Sequence, residues 1–321
     1  MPEIDETFVR LELNPQLRVS RDTPLSQYTR FAIGGPAAVY AETPDAPAFV
    51  SALRTARASG LPVVVIGGGT NLIVSDAGFR GVVLRYTSRR IAVDSGAVTV
   101  DAGADLQALV DRSIDAGLRG VETLTGIPGT VGAAIYGNAG AYGHSISERV
   151  REVAFHDGSR TRTISNAECE FDYRDSVFKR RKDWIVFSAA LSLDASDPAE
   201  LRGASDGIRK VRDEKYPPSM KCAGSIFKNL LLADLPERAR AEVPPQVVRE
   251  GKVPSAYFLE QVGAKGMARG GIRVAGYHAN LIYNAGHGTA SELRETIEEL
   301  KGRVRERFGL ELEEEVQYVG F

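Results

Sequence analysis

The stretch GIPGTVGAAIYGNAGAYG, residues 126–143, places six glycines in eighteen positions. The first three glycines, beginning with Gly126, are spaced three residues apart, and the last three, beginning with Gly137, repeat that spacing. Ordering a glycine costs more conformational entropy than ordering any other residue, so such density indicates a backbone that turns tightly or lies very close to something. The stretch therefore predicts a loop built for close approach.

A second glycine stretch, GGGTN at residues 67–71, follows the β-branched run VVVI. It is not a dinucleotide fingerprint, because Leu72 stands where the third glycine is required, and it lacks the Gly-Lys-Ser/Thr of a P-loop. Taken alone, it is as typical of a tight turn as of an anion-binding loop. Together, the two stretches predict that backbone groups hold a large, phosphate-bearing ligand.

Composition excludes several classes of protein. The chain has 321 residues, of which 43% are hydrophobic and 26% charged, so we expect two or three folded domains and not a disordered chain. A net charge of -2 gives no basic excess for nucleic acid. Two cysteines and four scattered histidines form no disulfide framework and no metal-ligand spacing, so no metal is expected. No signal peptide or membrane-length apolar run is visible, and a cytoplasmic location is expected.

Hydrophobic periodicity predicts an α/β part followed by a part richer in antiparallel strands. Tyr216-Pro217-Pro218 ends a charged helix and is the clearest boundary in the chain. The predicted helices are at 45–60, from about 105, at 198–215 and from about 289 to 308; the predicted strands are VVVI (buried), 81–85, one from about 97, three between 150 and 193, ANLIYN, and one before Phe321.

Four motifs carry polar residues that could do chemistry, and each has an alternative interpretation. Arg174 in FDYRDSVFK could face an oxyanion, or could pack its stem on Tyr173 with its head in water. Ser225 in AGSIFKN is not in a nucleophile elbow, and is either a proton donor or a turn serine. If the C-terminal acids are extended, Glu311, Glu313 and Glu315 share a face and one could enter a cleft, although exposed edge charges are the usual explanation. His278 and Asn280 are ambiguous between core polar residues and ligand contacts.

In this order, the motifs resemble those of the UDP-N-acetylenolpyruvoylglucosamine reductases. Each segment is weak singly, but the ordered set is specific and spans positions 29 to 320. The matching segments are TRFAIGGPA, VVVIGGGTNLIVSDAGFRGVVL, GIPGTVGAAIYGNAGAYG, YRDSVFK, AGSIFKN, YHANLIYNAG and FGLELEEEVQYVG.

The resemblance implies an α+β fold, in which two subdomains of the vanillyl-alcohol-oxidase (PCMH) type bind FAD and a smaller α+β domain binds substrate. The implied boundaries are 1–85, 86–215 and 216–321, with the C-terminal strand contributing to the active site. It implies Arg174, Ser225 and Glu315 as catalytic residues, with Ser225 as proton donor. The implied cofactor contacts are Gly67, Gly68, Gly69, Thr70, Asn71, Gly126, Ile127, Pro128, Gly129, Gly132, Gly137, Asn138 and Gly140, and the implied substrate contacts are Tyr173, Lys228, Asn229, His278 and Asn280.

The family's reaction is the NADPH-dependent reduction of enolpyruvyl-UDP-N-acetylglucosamine to UDP-N-acetylmuramate on a non-covalently bound FAD, in peptidoglycan precursor synthesis. The resemblance implies a small-molecule UDP-sugar substrate and a monomer with neither a nucleic-acid nor a membrane partner. The chain departs from the family at Leu230, where proline is usual. Its short spacing from Arg174 to Ser225 matches the subgroup that lacks an added substrate-covering loop.

Two other functions are compatible with the loops. One is a flavin oxidase of the same fold, for which His144, just past the glycine stretch at 126–143, is the residue to check as a covalent flavin link. The other is a non-catalytic nucleotide sensor, which would not need the arginine, serine and glutamate motifs.

Overall fold

The computed structural model describes residues 2–321 and divides them into two compact units. The large unit contains the residues up to Thr23, Ala37–Gly69 and Arg80–Pro218, and the small unit contains Pro24–Pro36, Thr70–Phe79 and Ser219–Phe321.

The large unit holds a four-stranded sheet covered by two helices. The helix Ala46–Ala58 begins at Asp45, whose carboxylate accepts a hydrogen bond from the Ala48 N–H at 2.7 Å. Its apolar face, with Phe49 and Leu53 fully buried, packs in the core of this sheet. The second helix is Pro2–Glu12, and the strand order is Arg18–Pro24, Pro36–Thr43, Phe79–Tyr86, Val63–Ile66.

A five-stranded antiparallel sheet forms the rest of the large unit. Leu109, Leu191 and Phe155 are fully buried in its core, which helices cover. The strand order is Thr161–Ser165, Val150–His156, Ile185–Ser192, Ala97–Asp101, Ile91–Asp94, and the helices of this part are Leu106–Asp115, Val131–Tyr136, Val177–Arg180 and Pro198–Lys215.

The small unit is built on a second antiparallel sheet. The strand His278–Asn284 lies between Lys221–Ser225 and Ile272–Ala275, and Gln317–Val319 pairs in parallel with Leu72–Val74. The helix Ala290–Phe308 begins with a capping box formed by Thr289 and Glu292. The remaining strand of the sheet is Ala268–Arg269, and the other helices are Glu237–Ala241 and Ser255–Gln261.

Short elements complete the chain. None of the helices found within residues 2–321 combines the length and apolarity needed to cross a membrane. The two-stranded ladders are Gly140–Ala141 with His144–Ser145, Leu118–Arg119 with Asp194–Ala195, and Leu230–Leu231 with Lys252–Val253; the 3-10 turns are Leu25–Tyr28, Glu122–Leu124, Ile146–Glu148, Ala167–Cys169, Leu232–Asp234 and Pro245–Val247.

The predicted helices and strands are confirmed, with two corrections. The run VVVI is a strand, but it lies at the edge of its sheet with Val63, Val64 and Val65 only half-buried, so the expected full burial is wrong. Several elements were not predicted. They include the helix Pro2–Glu12, which buries only Thr7 and Leu11, and the strands Arg18–Pro24, Pro36–Thr43, Leu72–Val74, Ile91–Asp94, Lys221–Ser225 and Ile272–Ala275.

The compact units differ from the boundaries expected at 85/86 and 215/216. Residues 24–36 and 70–79 group with the C-terminal part of the chain: the strand Leu72–Val74 pairs with Gln317–Val319, and the Phe31 carbonyl accepts a hydrogen bond from Asn284 Nδ2. The three-part functional division stays a prediction.

Candidate active site

Ser225 lies at an irregular strand end in the small unit. It closes the strand Lys221–Ser225, whose pairing with the neighbouring strand shifts register between Cys222 and Ser225. Gly224, immediately before it, has φ +80°, a left-handed conformation that favours glycine, and a Cβ added there would meet no atom within 4 Å. The serine therefore follows a turn of the backbone where the regular ladder is interrupted.

The structure brings Glu315 to the same place. The Glu315 N–H donates to the Ile226 carbonyl at 2.8 Å, and the Lys228 N–H donates to the Glu313 carbonyl at 2.9 Å. The C-terminal segment thus lies along residues 226–228, and Glu315 is bonded to the residue directly after Ser225. Two of the three predicted catalytic residues are held together by backbone contacts.

The condition for one shared acidic face, an extended strand through Glu311, Glu313 and Glu315, is not met. The regular strand there is only Gln317–Val319, and residues 310–316 are irregular apart from one bridge between Phe227 and Glu314. Glu311 and Glu313 are exposed, and Glu315 is half-buried. The ion pairs of the neighbouring acids are Glu311 with Arg305, Glu313 with Lys228, and Glu314 with Lys301.

Asn71, the last residue of the GGGTN stretch, fixes the backbone of Glu315. Its side-chain Nδ2 donates to the Glu315 carbonyl at 2.7 Å, and the Gln317 N–H donates to the Asn71 carbonyl at 2.9 Å. Its side-chain nitrogen therefore has a structural role, and a further contact of Asn71 with cofactor stays a prediction.

The predicted substrate contacts of the small unit have different environments. Lys228 is ion-paired with Glu313, Asn229 is exposed, and His278 is half-buried on the strand next to Ser225. Asn280 is only 2% exposed, and its side-chain amide is hydrogen-bonded to protein groups. The polar side-chain atoms of Asn280 are therefore already used inside the protein, and its contact with substrate stays a prediction.

Arg174 lies in the large unit and is tied to the long glycine stretch. Its Nη2 donates to the Gly140 carbonyl at 2.9 Å, and Ser176 Oγ donates to the Tyr136 carbonyl at 2.8 Å. Asn138 Nδ2 donates to the Asp172 carbonyl at 2.9 Å. These three hydrogen bonds join residues 136–140 to residues 172–176.

The backbone of Arg174 is left-handed, with φ +56°. Asp172 and Asp175 close a tight turn around it with two reciprocal backbone hydrogen bonds of 3.1 Å. The guanidinium carbon lies 5.2 Å from the centre of the Tyr173 ring, so the predicted packing on this tyrosine is present beside the contact with Gly140. A non-glycine residue in this conformation costs about 1–3 kcal/mol, and such strain clusters at functional sites.

The two glycine stretches lie against each other. A Cβ added at Gly67 would come 2.7 Å from Thr130 Oγ1, and one at Gly68 would come 3.2 Å from the Gly129 Cα. At Gly67 and Gly68, the predicted close approach is therefore a contact between the two glycine stretches themselves. The N–H groups of Gly126, Ile127, Gly132, Gly137 and Asn138 all donate to protein acceptors, so a contact of these residues with cofactor would use their other atoms and stays a prediction.

Other amides remain available where the loops meet. Within residues 2–321, the N–H groups of Gly68, Gly69 and Gly129 donate to no protein acceptor. Converging backbone N–H groups in glycine-rich loops are a common way to bind phosphate. This part of the large unit fits the diphosphate of a nucleotide cofactor.

Arg212 is a candidate anion contact that sequence reasoning missed. A Cβ added at Gly126 would come 3.0 Å from the Arg212 Cδ, so the arginine lies directly on the long glycine stretch. Its Nε is buried and has no hydrogen-bond partner in the described part of the chain. Burial lowers the pKa of the guanidinium, with Tyr142 and Tyr216 as polar neighbours. The sequence of the charged helix does not distinguish this arginine from its neighbours. Only its contact with Gly126 in the folded chain identifies it.

Comparisons with known proteins agree over almost the entire chain. The FAD binding domain family matches residues 37–160, and the C-terminal domain family of UDP-N-acetylenolpyruvoylglucosamine reductase matches residues 216–319. The chain is similar to the reductase of that name from Solibacter usitatus, with 64% identity over 97% of this chain and 100% of the relative. It is also similar to the one from Rubrobacter xylanophilus, with 37% identity over 93% of this chain and 94% of the relative.

A solved structure supports the same relationship. The crystal structure of UDP-N-acetylenolpyruvylglucosamine reductase from Thermus caldophilus superposes with a TM-score of 0.74 and 28% identity, covering 94% of this chain and 99% of that one. Together with the domain matches, it confirms the predicted FAD-binding fold followed by a smaller C-terminal domain.

Proposed function

Because the chain belongs to the UDP-N-acetylenolpyruvoylglucosamine reductase family, we propose that it reduces enolpyruvyl-UDP-N-acetylglucosamine to UDP-N-acetylmuramate, with FAD as cofactor and NADPH as reductant. The observation that carries the proposal is the backbone contact that holds Glu315 to the residue after Ser225. That contact holds the backbone of a glutamate beside the residue that follows Ser225, and a carboxylic acid or a hydroxyl can each donate a proton to a carbon next to a carboxylate.

The residues of the large unit support FAD as the cofactor. The available N–H groups of Gly68, Gly69 and Gly129 suit the diphosphate, and the Arg212 guanidinium offers a positive charge beside the same loops. When bound, FAD would supply the two-electron chemistry that connects NADPH with the double bond of the substrate. The other predicted neighbours of the cofactor remain predictions: Gly67, Thr70, Asn71, Gly126, Ile127, Pro128, Gly132, Gly137, Asn138 and Gly140.

Arg174 is assigned to the negative charge that builds up during reduction. Addition of a hydride to the terminal carbon of the enolpyruvyl group leaves a carbanion that spreads into the adjacent carboxylate. A planar guanidinium suits that carboxylate, because it can donate two parallel hydrogen bonds. Its fixed turn and its bond to Gly140 prepare the side chain before the substrate arrives.

Ser225 is assigned as the proton donor. A serine hydroxyl is a weak acid in water, so it transfers a proton only to a strongly basic partner, and the carbanion-like species is one. Glu315 assists in its protonated form or by orienting a proton, because a second bare carboxylate would repel the developing charge. The proton completes the reduction: the double bond gains one hydride and one proton.

The proposal is tested by separating the two half-reactions of Ser225→Ala in a stopped-flow spectrophotometer. Reduction of bound FAD by NADPH is expected at nearly the normal rate, because it does not use the serine. Reoxidation by the enolpyruvyl substrate should slow by about a hundred- to ten-thousandfold, the usual contribution of general acid catalysis. Ser225→Cys should recover part of this rate, because a thiol is also an acid.

Equal slowing of both half-reactions would return Ser225 to a structural role in its turn. Retention of both rates would equally remove it as the donor. A protein whose reduced flavin reacts with oxygen and not with the enolpyruvyl sugar would instead be an oxidase of the same fold.

Non-covalent binding of the flavin is part of the proposal. His144, the residue to check as a covalent link, is exposed, and its Nδ1 lies 2.9 Å from Glu148 Oε2 on the hairpin that follows the glycine stretch. Acid precipitation should therefore release the yellow colour into the supernatant. Colour that stays with the pellet would contradict this assignment.

We further propose a cytoplasmic monomer that binds a UDP-sugar without a nucleic-acid or membrane partner. The two cysteines, Cys169 and Cys222, are free and buried, which supports a reducing compartment. Sedimentation of the purified protein tests the monomer, and fractionation of cells tests the location.

A further inference from the structure

Asn280 is buried in the sheet of the small unit, and its side-chain amide is completely used. It lies on the central strand His278–Asn284 with 2% exposure. Its Oδ1 accepts from the N–H groups of Ile226 at 3.1 Å and Phe227 at 2.9 Å, and its Nδ2 donates to the Phe227 carbonyl at 2.8 Å and to Ser255 Oγ at 2.7 Å. Two donors and two acceptor positions are all that an asparagine side chain has.

The Asn280 side chain supplies hydrogen bonds to the backbone where the regular strand pairing ends. The regular pairing is interrupted between Cys222 and Ser225, and the Ile226 N–H is shared between the main-chain carbonyl of Asn280 and its side-chain oxygen, both at 3.1 Å. Ile226 and Phe227 are fully buried, so their polar backbone groups need partners inside the protein. The asparagine supplies those partners to the two residues directly after Ser225.

The same short segment also carries Glu315. On the other side of residues 226–228, the Ile226 carbonyl accepts from the Glu315 N–H at 2.8 Å, and the Lys228 N–H donates to the Glu313 carbonyl at 2.9 Å. Residues 226–228 are therefore held by Asn280 on one side and carry the C-terminal segment on the other. A shift of this segment would displace both Ser225 and Glu315.

We infer that Asn280 is a positioning residue that sets Ser225 and Glu315 for proton transfer through Ile226 and Phe227. The inference rests on the proposed function, since it assigns a purpose to the geometry around the proton donor. It differs from a substrate contact in its consequence: Asn280 affects how fast the proton moves and not how tightly the sugar nucleotide binds.

The test uses Asn280→Asp, which keeps the size of the side chain but removes the Nδ2 donor. The introduced carboxylate faces the Phe227 carbonyl, and that repulsion is expected to move residues 226–228 away from their present position. Displacement of a reacting group by about 1 Å costs up to about a hundredfold in rate, so reoxidation of reduced FAD by substrate should fall by about ten- to a hundredfold. Reduction of FAD by NADPH should stay within about twofold of the wild type.

Asn284 provides a matched control on the same strand. It is 5% exposed, its Nδ2 donates to the Phe31 carbonyl at 2.9 Å, and its Oδ1 accepts from the N–H groups of Gly286 at 2.9 Å and Gly288 at 2.8 Å. Asn284→Asp therefore also places a buried carboxylate against a carbonyl, but that carbonyl belongs to Phe31 and not to the segment that follows Ser225. It should lower the melting temperature about as much as Asn280→Asp while leaving both half-reactions near the wild-type rates.

Ser255→Ala is the milder second variant if Asn280→Asp does not fold. It removes one hydrogen-bond partner of Asn280 and leaves the other three bonds in place. We expect a smaller defect in the same half-reaction. The substrate concentration that gives half of the maximal reoxidation rate should change by less than about threefold in both variants, because neither side chain contacts substrate.

Five outcomes decide the inference. Selective slowing of reoxidation in Asn280→Asp, absent from Asn284→Asp, supports it. A large rise in the half-saturating substrate concentration at an unchanged maximal rate would make Asn280 a substrate contact, and equal slowing of both half-reactions in both variants would make it merely structural. Wild-type protein that the substrate cannot reoxidise refutes the proposed function, whereas a fully active Asn280→Asp refutes the positioning role alone.

Discussion

Arg174 has a backbone conformation that few arginines adopt. Its φ of +56° is held by the reciprocal hydrogen bonds of Asp172 and Asp175, and its side chain reaches the Gly140 carbonyl. A surface arginine that only covered Tyr173 would not need this conformation. This left-handed backbone costs about 1–3 kcal/mol, and a turn that directs the guanidinium towards an anion would account for that cost.

Arg174→Lys should therefore lower substrate-driven turnover by about a hundredfold or more. An ammonium group cannot reproduce two parallel donors, and loss of one oxyanion donor typically costs about this much. Arg180→Lys is the control, because Arg180 is exposed and forms ion pairs with Glu170 and Asp175. Steady-state NADPH oxidation with saturating substrate measures both variants, and near-normal turnover of Arg174→Lys would leave the arginine with its packing role on Tyr173.

Gly67→Ala should weaken the binding of FAD by at least about tenfold, or about 1.4 kcal/mol. The added Cβ would lie 2.7 Å from Thr130 Oγ1, so one of the two glycine loops must move. Thr130→Ala in the same chain removes that oxygen and should restore much of the affinity. Gly207→Ala, in a helix and with nothing within 4 Å of the added carbon, should leave FAD binding unchanged.

Titration of apoprotein with FAD, followed by quenching of flavin fluorescence, gives the affinities. Unchanged binding in Gly67→Ala would mean that the meeting of the two loops does not shape the cofactor site.

At the scale of elements, local patterns were sufficient for four of the five helices of ten or more residues found within residues 2–321, but for fewer than half of the strands. The helix Ala290–Phe308 is an example, because its apolar spacing and its Thr289–Glu292 capping box are both written in consecutive residues. The same sequence cannot show the second cap: Asp76 Oδ1 accepts from the Ala290 N–H at 2.7 Å, and Asp76 Oδ2 accepts from the Ser291 N–H at 2.9 Å. Asp76 lies more than two hundred residues earlier, so only the fold reveals this contact.

Asp76→Ala should lower the free energy of unfolding by about 1 kcal/mol at neutral pH, the usual cost of losing a helix cap. Burial raises the pKa of Asp76, but the N–H groups of Ala290 and Ser291 and the Ser291 hydroxyl outweigh burial and lower the pKa below its ordinary value. A carboxyl with a lowered pKa stabilises the fold above the pKa of the unfolded chain, and this stabilisation is lost as the pH falls through the folded pKa. The difference between wild type and variant should therefore shrink below about pH 4.

Urea denaturation at a series of pH values measures this difference in the free energy of unfolding between wild type and Asp76→Ala. Asp183→Ala, which removes an exposed partner of Arg181, is the control and should change the stability by less than about 0.5 kcal/mol. A difference between wild type and Asp76→Ala that does not depend on pH would show that the carboxylate does not act as a charged cap.

At the scale of the whole molecule, the sequence predicted where the large unit ends but not which segments of the chain belong to it. The prolines at 217 and 218 mark the point after which the small unit continues without interruption. The earlier segments 24–36 and 70–79 also belong to the small unit, and no local signal indicates this, because pairing of Leu72–Val74 with Gln317–Val319 is a property of the folded chain.

The candidate site was also only partly predictable, because local sequence does not show contacts between residues far apart in the chain. Motifs indicated Ser225 and Glu315, because each belongs to a short segment that the family shares. The partners that hold them could not be predicted, since Asn71 and Asn280 act on backbone atoms far along the chain. Arg212 was hidden for a related reason: its significance lies in the glycine that it contacts and in its unpaired Nε.

The most direct test of the account is an anaerobic double-mixing experiment on the wild-type protein. NADPH is added first, in an amount equal to the bound FAD, and the bleached protein is then mixed with enolpyruvyl-UDP-N-acetylglucosamine. The oxidised flavin spectrum should return within the turnover time, with one UDP-N-acetylmuramate formed for each FAD. A flavin that stays reduced until oxygen is admitted would contradict the account.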